Sequence, residues 1–315
     1  MIYQRFNRFS EHFVCFCLLF PAIKAIMINL SSKGWVNIMA FKIYHLNCGI
    51  VQGLHYQGEA LVMHCLLIDT GKDGLVLVDT GLGRQDQINA DPRLGYAFTH
   101  IYAKPRQGEI ALAAVEQVKA LGYDPRDVKN IVMTHLDLDH AGGLVDFPNA
   151  IVHVYKEEWM TAMSQQGFKT KRRYRQPMWQ YGPTWATYNE DGENWKGFSH
   201  VQQLTGLPPE ILLVPTAGHS RGHCAVAIDT GNGWIMHAGD TYFDPHEVKA
   251  ATPSVEPELA RFEWLNQWNK EKRLENLDAL RKLLVDDDSV KMFCAHNPAE
   301  LHEWVKQNPE KKMSL

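Results

Sequence analysis

Cysteine is scarce in this chain, long apolar runs are missing, and neither sign of charge dominates. Each absence removes a class of function. Six cysteines in 315 residues fall far short of the dense framework of a small secreted scaffold. Cys48, Cys65, Cys224 and Cys294 each lie inside or beside an apolar run that reads as a strand, as buried free thiols of a reducing compartment do. Cys15-Phe16-Cys17 has the outline of a metal or redox pair, but no partner motif lies near it. The apolar run from Phe13 to Ile23 is shorter than the roughly 18–20 residues a spanning helix needs. A formal charge of −4 offers no basic surface for nucleic acid. The expectation is a cytoplasmic protein with a small-molecule substrate, no nucleic-acid partner and no membrane.

What is present begins with an odd leader. Arg5 and Arg8 precede the run Phe13 to Ile23, and Lys24 and a second apolar stretch, Ala25 to Leu30, follow it. That outlines a signal peptide without a small-x-small cleavage site. Met39-Ala40-Phe41-Lys42-Ile43-Tyr44 looks like a natural start leading into a first strand. Residues 1–38 therefore read as a dispensable extension, and 39–315 as one domain with an insertion at about 165–205. A chain begun at Met39 is expected to fold; insolubility on truncation would refute this.

Hydrophobic residues make up 45% of the chain and charged ones 22%, an ordinary globular balance. Strand-like runs lie at Phe41–Leu46, Ala60–Ile68, Leu75–Val78, Val128–Met133, Ala150–Tyr155, Ile211–Val214, Cys224–Asp229, Trp234–His237 and Lys291–Ala295. Helical spacing is clearest from Ile110 to Leu121, where Gly122 and Pro125 act as stop signals. Further helices are expected over Lys156–Met163, about Glu256–Leu284, and Glu300–Lys306. Residues 165–205 show little periodicity. Their aromatics, among them Tyr174, Trp179, Trp185 and Tyr188, accompany a basic run from Lys169 to Arg175. An aromatic lid and a segment simply packed onto the domain, its basic run solvated, account for them equally well.

The chemistry concentrates in Thr134-His135-Leu136-Asp137-Leu138-Asp139-His140-Ala141-Gly142-Gly143. Two imidazoles and two carboxylates so close together would be costly to bury without a partner. Both types ligate metals at about 2.0–2.2 Å, so the loop suits a cation. Three later sites place ligand types just after apolar strands: Gly218-His219-Ser220-Arg221-Gly222-His223, His237-Ala238-Gly239-Asp240 and Cys294-Ala295-His296-Asn297. Singly they are weak, but in this order behind the first motif they form a strong pattern.

From about Phe41 to the C-terminus, and including the Asp79-Thr80-Gly81 turn, the sequence resembles the metallo-β-lactamase superfamily. The resemblance implies an α+β fold, a four-layer αββα sandwich, with two divalent ions at the edge between its sheets. It implies that His135, Asp137 and His219 hold the first ion, Asp139, His140 and His296 the second, and that Asp240 bridges them. Asp79 would support the metal loop without ligating, and His223 would be structural. Members commonly have histidine where this chain has Asp137; glutamate takes that place in the flavodiiron branch, whose flavodoxin-like domain has no room here.

Such a site implies hydrolysis of a small ester, lactone or thioester by a metal-bridged hydroxide, with Asp139 and Asp240 as the catalytic carboxylates orienting the nucleophile. No Ser-His-Asp arrangement is needed. Zinc is the first expectation. The oxygen ligand Asp137 also admits manganese or iron, and on that argument Asp137→His would move the preference toward zinc. Two other classes stay open: a non-haem iron redox enzyme on the same fold, and a metal-stabilised, non-catalytic binding module. Tyr242 is more apt for packing than for an oxyanion contact, and Phe243 stands where lactonase-like members carry a tyrosine.

Overall fold

Alternation along the strands explains why the chain stacks in layers. On β10 (Cys224–Asp229), Cys224, Val226 and Ile228 join one apolar cluster while Ala225 and Ala227 join another. On β2 (Glu59–Asp69), Leu66 and Ile68 face one cluster, Cys65 and Leu67 a second. Side chains of period two that are apolar on both faces belong to sheets covered on both sides.

The computed structural model describes residues 41–307; the 1–38 extension, the Met39 start, Cys15 and Cys17 lie outside them. Two six-stranded sheets form the centre. The first runs in the order β1 (Lys42–Tyr56), β2, β3 (Leu75–Val78), β4 (Val128–Val132), β5 (Ile151–Tyr155), β6 (Thr184–Tyr188). The second runs β12 (Val290–Phe293), β11 (Trp234–His237), β10, β9 (Ile211–Pro215), β8 (Phe198–Gln203), β7 (Glu193–Trp195). β1, β2 and β3 pair antiparallel, and β3 to β6 pair parallel. In the second sheet only β11 and β12 are parallel.

One apolar cluster lies between the sheets, with Leu66, Val78 and Val132 from the first meeting Leu213, Val226 and Phe293 from the second. A second cluster packs the first sheet against Ala114, Val118, Ala162 and Leu259 of helices Ala114–Ala120, Lys156–Ser164 and Pro257–Asn266. A third seats Leu277, Leu280 and Leu283 of helix Lys270–Asp286 on the other sheet. The result is the expected four-layer αββα sandwich. Cys48, Cys65, Cys224 and Cys294 are buried and free. Among the described residues, no helix is long and apolar enough to cross a membrane.

Three stretches differ from expectation. The helix expected from Ile110 to Leu121 is a 3-10 turn at Ile110–Leu112 followed by an α-helix over Ala114–Ala120. The helical region at Glu256–Leu284 is two helices, Pro257–Asn266 and Lys270–Asp286. Between them the backbone N–H groups of Trp268 and Asn269 donate to Gly218 and His219 carbonyls, so the chain leaves the helix to brace a site loop. Asn269 then caps the next helix by accepting from the Lys272 N–H. Residues 165–205 are also more regular than their pattern suggested, holding helix Phe168–Arg173 and strands β6, β7 and β8. Tyr174, Trp179 and Tyr188 are buried in the core clusters, which favours packing over a lid.

A buried histidine in β5 should leave a signature in the pH dependence of stability. His153 Nε2 donates to Asn130 Oδ1 and its Nδ1 accepts from the Tyr188 hydroxyl, which suits the neutral ring. Burial pushes its pKa down to about 4 from 6.5. Between those values the unfolded chain takes up a proton that the folded chain refuses, so stability present above pH 6.5 is lost as pH falls toward 4. In urea unfolding of wild type and His153→Leu, the wild type should lose about 2–3 kcal/mol more than the variant between pH 7 and 4.5. Parallel losses would refute this.

Candidate metal centre

The side chains singled out in the sequence arrive from loops at strand ends. β4 delivers the loop from Thr134, β9 and β10 flank His219, β11 ends just before Asp240 and β12 just before His296. Asp79, after β3, holds the first loop by accepting from the Thr134 N–H, the Thr134 hydroxyl and His140 Nδ1 at 2.8, 2.7 and 2.8 Å. The turn at Thr80 also packs directly on the glycines of that loop. A Cβ on Gly143 would lie 2.7 Å from the Thr80 carbonyl oxygen, so only glycine permits the approach.

All seven candidate ligands come together. His135, Asp137 and His219 form one group with ligand atoms within 4.8 Å of one another, and Asp139, His140 and His296 form another. Asp240 stands between them. Its Oδ2 lies 3.4 Å from His219 Nε2 and 3.7 Å from His135 Nε2. Its Oδ1 lies 3.2 Å from both His140 Nε2 and His296 Nε2.

Hydrogen bonds on the far side of the rings aim them inward. The Thr134 hydroxyl commits its proton to Asp79, so it accepts from His135 Nδ1 at 2.9 Å. His140 Nδ1 donates to Asp79, and His296 Nδ1 donates to the Val62 carbonyl at 2.7 Å. Each ring thus turns Nε2 toward the centre, as metal-ligating histidines do. Buried His135 Nε2 and Asp240 Oδ1 have no hydrogen-bond partner. Orphaned buried acceptors of this kind ask for a cation, and the donor set fits one. His223 differs, because its Nε2 accepts the Asp240 N–H at 2.9 Å and so holds Asp240 in place. Gly239 makes room for it, since a Cβ there would sit 2.6 Å from His223 Nε2.

The charges are strongly coupled. Burial would raise the Asp240 pKa, but His296, His140, His219 and His135 outweigh it and hold the carboxyl well below its usual range. Burial likewise opposes, and Arg173 and His135 override, in lowering Asp137. His140 and His296 are raised despite burial, chiefly by Asp240, whereas burial and Arg173 lower His219. A cation entering this cluster would displace protons from His140 and His296, so affinity should fall in acid.

Several supporting residues escaped the sequence. Glu158, fully buried, accepts from the Leu136 N–H, the Ser220 hydroxyl, the Gly222 N–H and the Tyr174 hydroxyl, tying the His135 and His219 loops together. Glu300 accepts from the Tyr242 hydroxyl and the Cys294 N–H, which settles Tyr242 as a packing residue. Phe243 lies parallel to the His296 ring, 5.3 Å between centroids and 6° between planes. Arg173, from the basic run, grips Asp137 instead of being solvated. Gly218-His219-Ser220-Arg221-Gly222 also spells a Gly-x-Ser-x-Gly pattern. It joins two antiparallel strands and its serine is buried with the hydroxyl proton on Glu158, unlike the exposed strand-to-helix elbow of serine hydrolases.

Comparison with known proteins gives the family. The family described as the metallo-beta-lactamase superfamily matches residues 60–285. The Mycobacterium bovis protein called "Probable metallo-hydrolase Mb2322c" is 38% identical over 262 residues, 82% of this chain and 80% of its own. An N-acyl homoserine lactonase of Bacillus thuringiensis is 26% identical over 203 residues, 64% of this chain and 72% of its own. The solved structure of an N-acyl homoserine lactone hydrolase with N-hexanoyl-L-homoserine bound at its catalytic metal center shares the fold, with a TM-score of 0.63 at 21% identity, over 84% of this chain and 97% of that one. This chain belongs to the metallo-β-lactamase superfamily.

Proposed function

We propose that the protein is a dinuclear metal-dependent hydrolase of a small ester, lactone or thioester. The observation that carries the reading is the division of Asp240, whose two oxygens each face a different pair of histidines. His135, Asp137 and His219 would hold one ion and Asp139, His140 and His296 the other, with Asp240 shared and zinc as the first candidate. Divalent ions there supply Lewis acidity, which polarises a carbonyl and acidifies a ligated water.

The chain's own groups do the rest. Asp139 is 17% exposed against 4% for Asp240, so Asp139 is placed to accept a proton and orient a nucleophile on the open side. Asp240, held by His223, keeps the two halves in register. Trp268 donates its N–H to the His219 carbonyl, which fixes the backbone beside that loop. The lactonase relatives support the lactone member of the class. Elemental analysis of fresh protein and a panel of esters, lactones and thioesters test the reading. Expected are about two metal equivalents and chelator-sensitive turnover of one class. Protein without metal, or oxygen-dependent turnover with an iron spectrum, would overturn it.

A further inference from the structure

We infer that Arg173 is a positioning residue of the metal centre, which makes Asp137 a single-oxygen ligand and cancels the charge that this carboxylate adds. The inference rests on the metal reading above. Arg173 Nε donates to Asp137 Oδ1 at 2.5 Å and Nη2 donates to Oδ2 at 2.8 Å. The two oxygens are not equivalent beyond that pairing. Oδ2 also lies 3.0 Å from His219 Nε2 and 3.3 Å from His135 Nε2, so it alone faces the ion position. Oδ1 belongs to the guanidinium.

The remaining nitrogen extends the grip. Nη1 donates to the carbonyls of His219 and Asn266 at 3.0 and 2.9 Å. One planar fork therefore sets the carboxylate of one ligand and the backbone of another, which lysine's single point charge cannot do. Arg173 ends helix Phe168–Arg173, so the 165–205 insertion reaches the site through this residue.

The charge balance changes accordingly. Asp137, Asp139 and Asp240 carry three negative charges, and Arg173 returns one, leaving the balance of a centre with histidine at position 137. The extra carboxylate therefore gives manganese or iron no advantage through charge, and only its oxygen donor favours them. For Asp137→His a loss of affinity is then expected whatever the metal preference, because the guanidinium would face a neutral imidazole and a divalent cation.

The test is zinc competition against a chromophoric chelator on the full chain, with thermal unfolding of each metal-free protein alongside. Asp137→His is expected to weaken zinc binding about tenfold or more, since like charges a few ångströms apart repel strongly. Adding Arg173→Gln to it should recover most of that loss. Arg173→Gln alone frees Oδ1 for chelation, so equimolar competition should raise its manganese-to-zinc ratio about fivefold. Asp137→His tighter than wild type, or no recovery in the double variant, would overturn the inference. So would an Arg173→Gln protein with lowered metal-free stability but wild-type metal ratio, which would mean a purely structural pair. If Asp137→His does not fold, the Arg173→Gln ratio decides alone. Wild-type protein that binds no zinc, manganese or iron would instead overturn the metal reading itself.

Discussion

His296→Ala is expected to reduce bound metal from about two equivalents to about one and to lower kcat/KM by roughly a thousandfold or more. Two consequences combine in that figure. On the proposed reading the second ion would keep only Asp139, His140 and its share of Asp240, and a depleted ligand set yields to solvent and chelators. Losing one of two Lewis acids removes several kcal/mol of transition-state stabilisation, and each 1.36 kcal/mol is about tenfold in rate. His219→Ala should act alike on the first ion. The ring of His296 is also held by the Val62 carbonyl and by Phe243, so thermal unfolding of the metal-free variant must be recorded to separate ligand loss from packing loss. Full metal content and undiminished turnover in both variants would remove the assignment of these residues.

The second large effect is expected at a residue that touches no ion. Glu158 gathers four donors in a fully buried position, from the Leu136 backbone, Ser220, Gly222 and Tyr174. Glu158→Ala would strand them, at about 1–3 kcal/mol for each that water cannot reach. A loss of about 2–6 kcal/mol follows if half stay dry, lowering Tm by roughly 10 °C in a domain of this size. Leu136 lies between His135 and Asp137, and Ser220 follows His219, so the first ion's ligands lose their common anchor. Zinc affinity should fall about 10- to 100-fold, as when hydrogen-bond support of ligands is removed. Calorimetry of the metal-free protein and chelator competition measure the two effects. A variant with wild-type stability would show that the four bonds are dispensable. One that unfolds earlier yet keeps its zinc affinity would show that Glu158 braces the fold without positioning the ligands.

Residue chemistry and periodicity are local properties, and what depends on them was legible early. The apolar run Cys224–Asp229 marked a strand, and β10 occupies those residues. Histidines and aspartates placed just after apolar runs had to emerge at strand ends, where the structure gathers them. The weakly patterned stretch 184–203 is harder, because β6 and β7 are short outer strands with mostly exposed or half-buried side chains, and such strands need no apolar alternation. The helix break at Gln267–Asn269 is equally hidden. Its cause is a pair of carbonyls about fifty residues upstream, at Gly218 and His219.

The sequence by itself determined the candidate ligand types, their order along the chain and the strands that precede them, since each follows from side-chain chemistry and from the apolar runs along the chain. Only the tertiary structure decided which charged groups serve that cluster. Glu157 and Glu158 are adjacent acids in the first turn of one helix, yet one is half exposed and the other buried under four donors. Arg172 and Arg173 are adjacent bases, yet one lies over the exposed Tyr102 ring and the other grips Asp137. Neighbours of like charge have the same local propensities. What separates them is the direction in which the helix points each side chain, and the desolvation and pairing energies that only a packed chain imposes.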